Sequence, residues 1–107
     1  MKAYFTRIEE IDRERAKAGK LYREFLRIPA MSAGLYVLPA GGTDPQRPHH
    51  EDEMYYVIRG RARFRTGDED TEVSAGSVLF VAAEAEHRFY NVAEELALLV
   101  FFAPAET

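Results

Sequence analysis

From Arg61 to Arg65 the side chains alternate without exception, with arginine at 61, 63 and 65 and the apolar Ala62 and Phe64 between them. Successive residues of an extended chain point to opposite faces, so this stretch is a strand with one face in water and one on a core. Similar strand-length segments follow one another along the chain. Residues 34–38, 54–58, 71–74, 77–81, 87–92 and 96–102 are rich in β-formers, and glycine, proline or short polar turns divide them. Gly67, Asp68, Glu69 and Asp70 make the turn of a hairpin. Residues 21–28 fit either a strand or a helix, since Leu21, Phe25 and Ile28 also have helical spacing, and Pro29 ends the segment. Short strands at this regular spacing predict an all-β barrel or sandwich.

The first part of the chain is different. Residues 7–18 are strongly charged with sparse apolar positions at Ile8, Ile11 and Ala16, which predicts a short amphipathic helix ended by Gly19. The expected organisation is an N-terminal helical extension over residues 1–20 and a β-barrel over residues 21–107. A chain of 107 residues makes one domain with one core. Its net charge of −4, with 14 Lys and Arg scattered along the sequence, argues against nucleic acid as a partner. The absence of cysteine excludes disulfides, thiolate metal sites and cysteine nucleophiles. Lys2, Arg7, Glu9 and Glu10 interrupt any secretory pattern, and the longest apolar run, residues 96–105, is too short to span a bilayer. A cytoplasmic protein with no membrane partner is expected.

Two stretches carry chemistry at fixed spacing. The first runs Gly41, Arg47, His49, Glu53, Gly60, and the second runs Gly76, Ala82, Glu84, His87, Asn91. Together they resemble the two motifs of the cupin superfamily, whose first motif has a glycine, a His-x-His pair, a glutamate and a second glycine at these spacings. The 15 residues between Gly60 and Gly76 match the short inter-motif segment of compact microbial cupins. Three positions depart from the pattern: Arg47 replaces the first histidine, Ala82 the proline and Glu84 the glycine of the second motif. The resemblance implies an all-β, single-domain cupin of jelly-roll type.

It also implies a reduced metal-ligand set of His49, Glu53 and His87, because a guanidinium offers no lone pair. The neighbouring Gln46 carries a carbonyl oxygen that could join such a site, though nothing in the sequence requires it. If the segment is extended, strand parity places Arg47, His49, Glu53, Tyr55 and Val57 on one side, and His87, Phe89 and Asn91 on one side of a second strand. Two imidazoles and a carboxylate with open positions suit one divalent metal ion per chain, with Fe, Mn, Ni and Zn all compatible. The expected function is metal-dependent chemistry of a dioxygenase-like, isomerase or cyclase type on a small organic and possibly anionic molecule. A non-catalytic ligand-binding or sensor barrel is the alternative. Tyr55 is a candidate catalytic acid. Arg47 reads either as a cation that binds a carboxylate substrate or as an ion pair with Glu51 or Asp52. Met54, Tyr56 and Ile58 lie opposite Glu53 and are apolar, so that face needs cover from the N-terminal helix or from a second copy. Because cupins are commonly dimers, the resemblance favours a homodimer.

Overall fold

The computed structural model describes residues 2–45 and 47–107. After helix α1 (Ile8–Ala18) come six strands: β1 (Tyr22–Ile28), β2 (Met31–Leu38), β3 (Asp52–Thr66), β4 (Glu69–Ser74), β5 (Val78–Val81) and β6 (His87–Ala103). All pairings are antiparallel, in the order β1-β2-β6-β3-β4, with β5 also paired to β3. The ambiguity over residues 21–28 resolves as strand. Tyr22 pairs with Tyr36 and Ile28 with Met31 across a tight turn at Pro29 and Ala30.

Two of the expected strand breaks are not breaks. Residues 54–58 and 61–65 belong to one strand of 15 residues, and residues 87–92 and 96–102 to one of 17. Gly60 does not end β3 but bends it. It has φ +97°, and a Cβ there would overlap the Glu95 carbonyl oxygen, so only glycine lets the two long strands approach this closely. The β3–β6 register shifts between Val57 and Arg59 and again on either side of Arg61, which marks the bend as an irregular, bulged region. Asn91, at φ +48°, makes the corresponding turn in β6.

The alternation of sequence is the alternation of burial. Tyr55, Val57, Ala62 and Phe64 of β3 point into a core that includes Tyr36, Leu38, Phe89, Leu98 and Phe102. Their neighbours Arg61, Arg63 and Arg65 face solvent and pair with Glu94 and Asp70. β2 is buried on both faces, because Leu35 and Val37 pack outward under α1 with Ile11, Ala97, Phe25 and Ile58. The helix therefore covers the Ile58 end of the outer face. Met54 and Tyr56 stay 45% and 43% exposed beside Val78 and Phe80, both at 60%.

Candidate metal centre

β3 brings Glu53 inward at the barrel mouth, in phase with Tyr55 and Val57, and all three are buried. β6 brings in His87 and Phe89. His49 arrives by another route. It lies in the irregular segment before β3, half-buried, with its ring edge against Phe102. The three side chains meet: one ligand atom from each of His49, Glu53 and His87 lies within 4.8 Å of the others.

The strand parity that predicted this convergence holds for Glu53, Tyr55, Val57, His87 and Phe89, and fails at its ends. Arg47 precedes the strand and is exposed, with no ion pair to Glu51 or Asp52 among the described residues. Those acids are engaged elsewhere: Thr107 donates to Glu51, and the Ala83 amide donates to Asp52. Asn91 is exposed because it is itself the left-handed residue at which β6 turns and the alternation breaks. Gln46 lies outside the described residues.

The chemistry of the donors fits a divalent cation. Glu53 is 2% exposed, yet among the described residues neither of its oxygens has a hydrogen-bond donor aligned on it. His87 Nε2 lies 3.0 Å from Oε1. A buried carboxylate without donors is costly, and a cation between it and two imidazoles removes that cost. His87 Nδ1 lies 3.0 Å from the Ala85 carbonyl, which holds the Nδ1 proton and makes Nε2 the lone-pair atom facing the cluster. The Tyr55 hydroxyl is 3.0 Å from the same Nε2. Burial pulls the His87 imidazole toward neutrality, but Glu53 and the Ala85 carbonyl outweigh it and raise its pKa above the ordinary value.

The two motif loops are stitched together. The Glu84 amide donates to the His49 carbonyl at 2.7 Å, and the Glu84 carboxylate meets His50 Nδ1 at 2.7 Å. His50 thus points outward, opposite to His49. Beside the cluster lies a cavity of about 180 Å³ lined by Tyr22, Tyr36, Pro45, Glu53, Val100, Phe102 and Glu106. Most small-molecule pockets are larger, roughly 300–1,000 Å³, so this one suits a compact ligand.

Sequence reasoning missed three residues here. Asp44, 1% exposed, accepts the Tyr36 hydroxyl at 2.6 Å and the Phe89 amide at 2.9 Å, and so ties the first-motif loop to the barrel wall. Tyr22 lays its ring where a Gly34 side chain would be and buries its hydroxyl without a hydrogen-bond partner among the described residues. Burial is also the main reason its phenol is held well above the ordinary pKa. Glu106 places Oε2 3.2 Å from His49 Nδ1. Only Asp44, within a Gly-Gly-Thr-Asp-Pro loop, carried any signal in the sequence.

Residues 34–103 match the family model described as a cupin domain. The chain belongs to the cupin family. Over all 107 residues of both chains, this cupin is 47% identical to protein SCO3923 of Streptomyces coelicolor. Among solved structures it is similar to TT1209 from Thermus thermophilus, with a TM-score of 0.77 and 23% identity over 96% of this chain and 99% of that one. It is also similar to BH2720 from Bacillus halodurans, with a TM-score of 0.77 and 20% identity over 96% and 83% of the two chains. At those identities the two structures speak to the fold.

Proposed function

We propose that this cupin holds one divalent transition-metal ion per chain on His49, Glu53 and His87 and acts on a small oxygen-bearing molecule in the adjoining cavity. The observation that carries the reading is the convergence of one ligand atom each from His49, Glu53 and His87 within 4.8 Å, with Glu53 buried and, among the described residues, no hydrogen-bond donor aligned on either of its oxygens. A metal bound by three protein ligands keeps open positions, where it supplies Lewis acidity or activates oxygen. The chain's own residues do the rest. The Ala85 carbonyl would fix the His87 ring through Nδ1 and leave Nε2 for the metal. Tyr22 offers a protonated hydroxyl to an acceptor oxygen of the ligand, while Val100, Phe102 and Pro45 exclude water.

Among the described residues the cavity lining contains no Lys or Arg and two carboxylates, Glu53 and Glu106. With a divalent ion present the charges balance, so a neutral carbonyl or hydroxyl compound fits better than an anion steered by the exposed Arg47. Dioxygenase-like and isomerase chemistry both use such a site, and a ligand-binding barrel without turnover uses the same walls.

The test is elemental analysis of protein purified without chelator, with native mass spectrometry for a retained ligand. About one equivalent of Fe, Mn, Ni or Zn per chain is expected. Protein that carries none, and takes up none when each is offered, refutes the reading.

A further inference from the structure

His87 has its Nδ1 held by a fixed oxygen, the Ala85 carbonyl. His49 has an oxygen at the same place on its ring, and it comes from far along the chain. Its Nδ1 is 3.2 Å from Oε2 of Glu106, a residue beyond β6 and outside both motifs. Glu106 does not hang loosely there. Its amide donates to Ser32 Oγ at 2.9 Å, and its carbonyl accepts from Arg27 Nη2 at 2.6 Å. Next to it, Thr107 donates its hydroxyl to Glu51 Oε2 at 2.9 Å, two residues before Glu53. Contacts to β1, to β2 and to the approach to β3 thus fix the tail on both sides of the carboxylate, which is itself one wall of the cavity.

We propose that Glu106 is the positioning residue of His49. Its carboxylate accepts a hydrogen bond from Nδ1–H and aims Nε2 at Glu53 and His87, so that both imidazoles reach the metal through the same nitrogen. A carboxylate in this place fixes the tautomer and ring orientation of a ligand histidine and raises its basicity. It also compensates for Arg47, since a chain with one histidine fewer depends more on the orientation of those it keeps. The proposal rests on the metal reading above. It has a reciprocal consequence: a tail that tightens the metal is itself tightened by the metal, by the same factor.

The test compares the full chain with Glu106→Ala, Glu106→Gln and Thr107→Ala, by competition with a chromophoric chelator for Zn²⁺ and Co²⁺. Glu106→Ala is expected to raise the Kd roughly 10- to 100-fold, the usual effect of removing such a partner. Glu106→Gln keeps an acceptor oxygen and should recover part of the loss. Thr107→Ala removes a tail anchor without touching the carboxylate, and should stay within about twofold of the parent. Hydrogen exchange of the residue 105–107 amides should slow on metal addition in the parent and not in Glu106→Ala. A parent that binds metal with an affinity unchanged by Glu106→Ala overturns this proposal and leaves the metal reading standing. Equal losses in Glu106→Ala and Thr107→Ala overturn it too, by assigning the effect to tail packing. A parent that binds neither these ions nor Fe, Mn or Ni overturns both.

Discussion

Glu53→Gln separates a ligand from a merely buried acid. Replacement by the amide preserves size and removes the charge that a metal would neutralise. A metal at a hundred times its Kd stabilises the folded state by about 2.7 kcal/mol. At this chain length about 1 kcal/mol moves the melting temperature by roughly 4 °C, so the parent should melt about 11 °C higher with metal than after chelation. In the variant that difference should vanish. The chelated proteins should differ little, within roughly 4 °C. Losing the 3.0 Å contact to His87 costs stability, while removing a buried charge restores it, and such terms nearly cancel. Differential scanning fluorimetry at neutral pH, with Zn²⁺ and with chelator, reads all four states. If Glu53→Gln keeps the metal-dependent rise, Glu53 is no ligand. If instead the chelated variant melts far below the chelated parent, Glu53 serves the fold through its contact with His87 and not a metal.

Asp44→Ala leaves the Tyr36 hydroxyl and the Phe89 amide without their acceptor, at about 1–3 kcal/mol each, and chemical denaturation should show a loss of that size. Because Asp44 also anchors the segment that leads to His49, the same variant should bind Zn²⁺ more weakly. Glu84 sits at φ +69°, so Glu84→Gly should raise the melting temperature by a few degrees, about 1 kcal/mol, despite losing an exposed contact to His50; a fall would show that this contact matters more. Asp70 is held below the ordinary carboxylate range by the Tyr90 hydroxyl first, and by Arg63 and Arg65. Its stabilising effect is therefore present above the unfolded carboxylate value and lost as pH falls through the lower folded one. Amide protection across the β3–β4 hairpin should drop in acid in the parent, and show no such step in Asp70→Asn. If the exposed outer face seats a second copy, sedimentation should show a dimer for the parent and a monomer for Met54→Glu combined with Phe80→Glu.

What was legible in the sequence was what alternation and fixed spacing encode. The arginine row gave away a strand face, and the two motifs placed His49, Glu53 and His87 together before any coordinates did. Gly60 misled in an informative way. In sequence it reads as the end of a strand, but antiparallel pairing to β6 on both sides of it keeps β3 continuous, and the glycine serves a bend. Arg47 misled because parity applies only where the chain is extended, and the segment before Asp52 is not. Tyr22 and Glu106 could not be read at all. They approach the site from β1 and from the tail, and no local pattern records which distant residues the sheet order makes neighbours.

That sheet order has a consequence for how the molecule comes into being. β6 is the last strand made, yet it lies between β2 and β3 in the sheet and pairs with both. A nascent chain that has not yet released β6 holds two hairpin-like halves, β1-β2 and β3-β4-β5, with nothing to join them. Each half then presents an unpaired edge, the kind of surface that invites pairing with other chains. Closure must wait for contacts between residues far apart in sequence, which makes folding slow compared with helical proteins of this size. The proposed ligands obey the same timetable. Glu53 emerges early and His87 at the very start of β6, so the site forms only when the barrel closes, and metal uptake would report the completion of folding.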